Sequence, residues 1–325
     1  MSIRKLLAVS VVIGALTVAP QVRSAEAWDS FGHMLVAYEA YQQLTPTIQA
    51  RVTTLVHLNP SYDKWSGWMP PATSAADRDA ILFMVAATWA DEIKAHGSGY
   101  TMDGSHNGNR PEGSPDPTAN VGYSDKLMHK YWHFVDTPFS TDGSPLPPIP
   151  TPNAQERIGL FRGVLSSAAP DPLKSYDLVW LVHLVGDVHQ PLHATTRVSA
   201  SAPDGDDGGN GVKLPCPGCR SQLHSFWDGA AGVSASVAGS IPQAIAAAKK
   251  LPKASASLAA KSSEADWVQE SFQAAQADVY KAPVGAGDGP FTLTTAYKAA
   301  ATKLARARIA LAAARLANLL NNELK

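Results

Sequence analysis

His183, Asp187 and His193 lie in the run Y-D-L-V-W-L-V-H-L-V-G-D-V-H-Q-P-L-H-A, from Tyr176 to Ala194. Leu178, Val179, Leu181, Val182, Leu184, Val185 and Val188 surround them, a density of apolar side chains that predicts a buried helix rather than a solvated one. Residues four apart share a helical face, so His183 and Asp187 point the same way. Pro191 cannot continue the helix and biases Gln190 away from helical angles, which brings His193 off the helix end near that same face. Imidazole and carboxylate groups in such surroundings need partners, and a metal ion is one way to supply them.

A second His/Asp pair at the same spacing, His224 and Asp228, sits among Leu, Trp and Phe. Asp91 follows Thr88-Trp89-Ala90, and His133 is enclosed in Tyr131-Trp132-His133-Phe134. An unpaired charge in such settings costs several kcal/mol. Imidazole nitrogens and carboxylate oxygens, with no thiolate at hand, suit zinc in a hydrolytic role.

The elements that must position these groups are mostly helical. Apolar spacing predicts helices from Ser30 to Leu44, from Pro46 to His57, from Asp77 to Ala95 and from Asn153 to Ala168, with the central helix after Pro172. Ala-rich segments follow at roughly 241–262, 263–281 and 292–323. Gly97 to Asp125 and Val198 to Gln222 are rich in Gly, Asn, Pro and Ser and predict surface loops; Thr137 to Pro152 is irregular. Strict period-two alternation is nearly absent, leaving room for one small hairpin. The loops fall between ligand candidates rather than between compact blocks. The expectation is an all-α, single mostly helical domain with long loops.

The N-terminus reads as an export signal occupying residues 1–27. Arg4 and Lys5 precede an apolar stretch from Leu6 to Ala19, and Ala25-Glu26-Ala27 has the small-x-small form of a cleavage site. The apolar stretch is short for a membrane span, so no membrane anchor is expected and the protein is exported, periplasmic or secreted. Removal of Arg4, Lys5, Arg23 and Glu26 changes 27 Lys+Arg against 28 Asp+Glu to 24 against 27, a net charge near −3. That excludes a basic nucleic-acid wrapper; a phosphate would be held locally. Cys216 and Cys219 form C-P-G-C, half of a zinc knuckle without a second pair, and an oxidising compartment favours a small local disulfide.

Taken together, these residues resemble the zinc-dependent nuclease family that includes mung bean nuclease and the fungal nucleases S-one and P-one, which shares its fold with bacterial zinc phospholipase C. The matching pieces, in the family's order, are W-x4-H from Trp28 to His33, W-A-D-E-I around Asp91, and W-H-F-V-D from Trp132 to Asp136. They continue with H-x3-D-x5-H from His183 to His193, D-x-G-G-N from Asp206 to Asn210, and H-x3-D from His224 to Asp228. The resemblance implies three Zn2+ per chain. One would be held by Asp91, His133, His183 and Asp187, and a second by His193, His224 and Asp228. The third would take the α-amine and carbonyl of Trp28 with His33 and Asp187. The amine of Trp28 exists only after cleavage, so processing would be part of metal assembly.

The chemistry the resemblance implies is hydrolysis of RNA and single-stranded DNA to 5′-phosphate products, with 3′-nucleotidase activity and catalytic roles for Asp91 and Asp187. Zinc brings the pKa of bound water towards about 7, so that a metal-bridged hydroxide attacks phosphorus in line. Phe134 matches the family position that stacks a base and Asp136 the one that hydrogen-bonds its edge; stacking favours unpaired bases. Lys94 stands where some relatives carry an arginine for phosphate, and supplies charge without a bidentate fork; the alternative is a solvated helix lysine. His129 and His189 are expected to support the ligands or to lie at the surface rather than to bind, and His57, His96 and His106 to lie in loops or at the surface. Asp206 and Asn210 are expected to shape their loop. The substrates would be single-stranded DNA, RNA and nucleotides, with no stable protein partner and a monomeric chain. The rival readings are a zinc-dependent phospholipase C or phosphatase on the same scaffold, and a non-catalytic exported zinc-binding protein.

Overall fold

The long apolar run is a helix, α7, spanning Asp171–Asp187. Leu178, Trp180, Leu181, Leu184 and Val185 are completely buried along it. Each such side chain contributes about 1.5–3 kcal/mol of transfer free energy, so α7 is held by its surroundings on every face rather than by propensity. Its N-terminus is fixed by a bidentate ion pair between Arg51 and Asp171, at 2.7 and 2.5 Å. The fold is a computed structural model that describes residues 28–103, 126–215 and 220–325. The export-signal residues, Cys216, Cys219 and His106 lie outside the described residues.

Around α7 lie α1 (Ser30–Tyr41), α2 (Pro46–His57), α3 (Tyr62–Ser66), α4 (Ala75–Ala86), α5 (Trp89–Glu92) and α6 (Ala154–Ser166). After it come α8 (Leu223–Asp228), α9 (Val237–Ala248), α10 (Ala256–Ala259), α11 (Glu264–Ala274) and α12 (Thr295–Glu323). Packing of α6, α2, α12, α5 and α1 encloses α7, and α1 lies against α12, α4 and α9. One hydrophobic cluster fills this helical body. A second, smaller one gathers Leu192, Val212, Leu223, Trp227, Val279 and Tyr297 under the loops beyond α7. The mostly helical single domain expected from the sequence is what forms.

Three expectations need correction. The segment from Asp77 to Ala95 is two helices, α4 and α5, because the Thr88 hydroxyl bonds back to Val85 O (2.8 Å) and across to Glu92 Oε1 (2.7 Å) and the chain turns there. The small sheet is not a hairpin. β1 (Pro138–Ser140) and β2 (Thr196–Val198) pair in parallel, Pro138 with Thr196 and Ser140 with Val198, which ties the chain after His133 to the chain after His193. The segment 241–262 breaks into α9 and α10 around Leu251-Pro252, where the proline cannot donate to a continuing helix.

Candidate metal centre

Five side chains from four elements converge on the inner end of α7. His183 and Asp187 come from α7, His33 from α1, Asp91 from α5, and His133 from a 3-10 turn at Lys130–His133. All five side chains are buried. His183 Nε2 lies 3.0 Å from His133 Nδ1 and 3.3 Å from Asp187 Oδ2, and His133 Nδ1 lies 3.0 Å from the same oxygen. His33 Nε2 is 3.3 Å from Asp187 Oδ1, and its ring stacks on that of His183 at 3.8 Å. The bend at Thr88 explains how Asp91 enters: it turns α5 inwards and frees Ala87 O to accept from His183 Nδ1 at 2.8 Å. That bond leaves Nε2 as the nitrogen facing the cluster.

The second group is formed by His193, on the 3-10 turn Pro191–Ala194, and by His224 and Asp228, one turn apart on α8. His193 Nδ1 bonds to His133 O (2.8 Å), and His224 Nδ1 to Gly208 O (2.7 Å). The two Nε2 atoms then face each other at 3.1 Å, with Asp228 Oδ1 3.6 Å from that of His224. Burial holds both imidazoles below their usual range, His193 at about 4 and His224 at about 3, so both are neutral at pH 7. Neutral rings that donate through Nδ1 point two lone pairs at each other, a repulsive contact that a cation between them relieves.

The whole cluster fits divalent ions by this criterion. His33 Nδ1 and Nε2, His133 Nε2, Asp187 Oδ1 and Asp228 Oδ2 are buried without a hydrogen-bond partner, and orphaned buried polar atoms of this kind need an explanation such as an ion. Three sets of ligand atoms lie within 4.8 Å of one another: His33/His183/Asp187, Asp91/His133/His183 and His193/His224/Asp228. Burial works against the charge of Asp187, but His183, His133 and His33 hold its carboxyl well below the usual range. Burial likewise raises Asp91, and Lys94 with the three imidazoles more than reverses this. The carboxylates are therefore ionised and ready to ligate. Asp228 differs: burial pushes it well above its usual range, offset in part by Gln190 and Arg220.

The remaining candidates also lie at this centre. Trp28 is fully buried, and its indole Nε1 donates to Gly186 O at 2.9 Å, which seats this residue against the carboxyl end of α7. Gly186 is glycine for a reason: a Cβ there would stand 2.9 Å from His33 Nδ1. Lys94 is not a solvated helix lysine. Its side chain is 5% exposed and its ammonium lies 2.5 Å from Asp91 Oδ1. Phe134 stacks on His193 with centroids 4.6 Å apart, half-exposed at the mouth of the centre. Asp136 lines a pocket of ≈ 250 Å³ whose walls include Pro147, Pro148, Pro150, Thr196, Gly205 and Asp207. Asp206 is turned away, accepting from Arg197 N, Gly209 N and Tyr280 Oη, as a loop-shaping residue does.

His129 and His189 stand apart from the ligand groups. His129 stacks on Trp132 at 3.6 Å and pairs with Asp103 at 2.7 Å. His189 donates through Nδ1 to Val185 O at 2.7 Å, and its Nε2 meets Arg315 Nη1 at 3.0 Å. His57 and His96 are exposed. Sequence reasoning missed Gln190, whose amide donates to Asp228 Oδ1 at 2.8 Å while its oxygen accepts from Leu192 N at 2.6 Å. It also missed Arg308 and Arg315, which reach from α12 to His189 O and His189 Nε2 and grip the turn between Asp187 and His193. Their seven-residue spacing, two turns on an Ala-rich helix, was the available signal.

Overlapping His/carboxylate sets that could hold metal ions, buried where the helices meet, fit a metal-dependent hydrolase. The S1/P1 nuclease family model matches residues 28–325, and the chain belongs to that family. It is thus a nuclease-type phosphodiesterase of a metal-dependent family. No curated protein matches the chain.

Proposed function

We propose that this protein uses three zinc ions to hydrolyse RNA and single-stranded DNA to 5′-phosphate products, and that it also removes 3′-phosphates from nucleotides. The observation that carries this reading is the pair of neutral imidazoles whose Nε2 atoms face each other at 3.1 Å beside a second buried set of His and Asp. Asp91, His133, His183 and Asp187 would hold one ion, His193, His224 and Asp228 another, and His33 and Asp187 a third with the amine and carbonyl of Trp28. Bound zinc supplies Lewis-acid polarisation of phosphoryl oxygens and depresses the pKa of a coordinated water.

The protein's own residues do the rest. The Lys94 ammonium, held by Asp91 inside the cleft, offers positive charge to a non-bridging phosphate oxygen as a point donor rather than a fork. Phe134 presents the outer face of its ring to a base, the inner face being covered by His193; such a platform takes any unpaired base. Asp136 meets the edge of that base. Export with removal of residues 1–27 would create the Trp28 amine, and the mature chain would act as a periplasmic or secreted monomer. Among the described residues no helix is long and apolar enough to cross a membrane.

The test combines metal analysis of the processed protein with a single-strand cleavage assay before and after chelation. About three zincs per chain, activity lost on chelation and activity regained with zinc are expected. Diacylglycerol release from phosphatidylcholine in place of nucleotide release would replace the reading with a phospholipase. Bound zinc with no turnover of either substrate would reduce the protein to a zinc carrier.

A further inference from the structure

The pocket beside Asp136 has walls of unusual one-sidedness. Its polar side chains are those of Asp136, Asp204, Asp207 and Thr196, and among the described residues no lysine or arginine lines it. The opposite wall is formed by Pro147, Pro148 and Pro150, which present flat apolar faces and no N–H donors. Thr196 is 3% exposed, and its Oγ1 has no hydrogen-bond partner. Gly205, at φ 98°, packs directly against that hydroxyl, and any Cβ there would collide with it. The pocket adjoins the metal centre: Asp136 is three residues past His133, and the carbonyl of Gly208, next to Asp207, holds His224 Nδ1 at 2.7 Å. At ≈ 250 Å³ it is smaller than the ~300–1,000 Å³ cavities that take drug-sized ligands, a size for one nucleobase.

We infer that this pocket selects the base by its hydrogen-bond donors, preferring guanine and disfavouring uracil and thymine. The inference rests on the nuclease reading above and deepens it. Above about pH 7, where Asp136 and Asp207 are both ionised, each carboxylate only accepts hydrogen bonds. Guanine offers N1–H and the N2 amino group side by side, and can give both to one carboxylate or to two. Adenine and cytosine offer one amino group beside a ring nitrogen whose lone pair faces the same oxygens. Uracil offers a single N–H flanked by two carbonyls, which the carboxyls repel. A phosphate entering the pocket would meet the same repulsion, so the base end of the substrate enters.

Asp207 is a further acid of this wall. It fills the unspecified position of D-x-G-G-N, at φ 57°, a left-handed conformation that Asp tolerates. Its neighbour Asp206 is spent on the loop, whereas Asp207 faces the cavity. The crowding of acids shows in the charges. Burial and the nearby Asp207 and Asp206 push the Asp136 carboxyl up to about 7, and burial and Asp206 push Asp207 up to about 6. Neither is relieved by a hydrogen bond or a cation.

The test uses the zinc-loaded, processed protein at pH 8, where Asp136 and Asp207 are ionised, and dinucleoside monophosphates carrying the same base twice: GpG, IpI, ApA, CpC and UpU. Expected kcat/KM falls from GpG to UpU by about tenfold or more, the discrimination typical of a bidentate base contact. IpI, which lacks the N2 amino group, falls below GpG. Asp207→Asn, which keeps the shape and turns one acceptor into a donor, narrows the GpG-to-UpU ratio at least about fivefold. Equal turnover of all five, a preference for UpU, or a ratio unmoved in Asp207→Asn overturns the inference while leaving the nuclease reading intact. If no dinucleotide is cleaved, the nuclease reading fails instead. Calorimetric binding of guanosine and uridine to the same protein then decides the pocket alone: tighter guanosine binding, weakened in Asp207→Asn, supports it, and equal binding overturns it.

Discussion

The group around Asp187 draws on three helices and a 3-10 turn, with two ionised carboxylates and a lysine at its edge. The group around Asp228 draws on one 3-10 turn and one six-residue helix, with a single carboxyl that burial pushes towards its neutral form. The first is set in the main hydrophobic cluster, the second between that body and the smaller cluster under the loops. His183 in the first group and both histidines of the second share one device, an Nδ1–H committed to a backbone carbonyl. What differs is how the acids are supported. Asp187 is surrounded by three imidazoles, whereas Asp228 has one neutral donor, Gln190, in direct contact. The comparison teaches that the second group depends on a single outer hydrogen bond where the first is redundantly charged.

The largest effect is expected from Asp187→Asn. Because Asp187 faces His33, His133 and His183 together, its loss should remove two metals per chain and more than about a hundredfold of the single-strand cleavage rate. Asp228→Asn should remove only one, and elemental analysis of the two variants would show it. Equal metal loss would mean the groups are not separate. Next in size is Gln190→Leu. Outer partners of this kind typically govern 10–100-fold in metal affinity. The second group should therefore give up its ion to a competing chelator about 10–100-fold more readily, with the first unchanged. Loss of both ions together would break the contrast.

Phe134→Ala should come third. It uncovers His193 and removes the base platform, raising KM for single strands through the loss of about 1–3 kcal/mol of stacking. A kcat effect with KM unchanged would place Phe134 in the support of His193 instead. The smallest effect concerns Asp177, on α7 but away from the cluster. It is fully buried, neither carboxyl oxygen has a partner, and burial pushes it up to about 8. Its folded value exceeds the ordinary 3.8, so its contribution is fully present below pH 4 or so and is lost as pH rises through about 8. Asp177→Leu should raise the melting temperature at pH 8 by a few degrees and change it little at pH 4. A gain at pH 4 equal to that at pH 8 would assign the effect to packing. Nothing in the described residues explains why an aspartate stands there.

The parts legible in the sequence were those written in periodicity. The apolar run specified α7, the four-residue spacing put His183 and Asp187 on one face, and Pro191 marked where His193 leaves the helix. The stop between α4 and α5 was not legible, because Thr88 breaks the helix by hydrogen bonds made at a distance of three and four residues, and threonine often sits in helices without doing so. The parallel pairing of β1 and β2 was hidden as well. It joins segments 58 residues apart, and three-residue strands carry no measurable alternation. Gln190 and Arg315 illustrate a third obstacle. Their importance lies in what they touch, Asp228 and His189, and a lone amide or a lone guanidinium in a sequence does not announce its partner.

The kink at Thr88 has an implication for how the cleft keeps its shape. A perfectly wound helix would consume the oxygen of Ala87 internally, and the His183 ring would lose its anchor and be free to swivel. By abandoning one turn of regularity the chain gains a fixed bearing for that ring and a route inward for Asp91 at once. Precision in the heart of this enzyme therefore originates in an interruption, and substitutions that heal it, such as Thr88→Ala, would straighten the scaffold while loosening its grip.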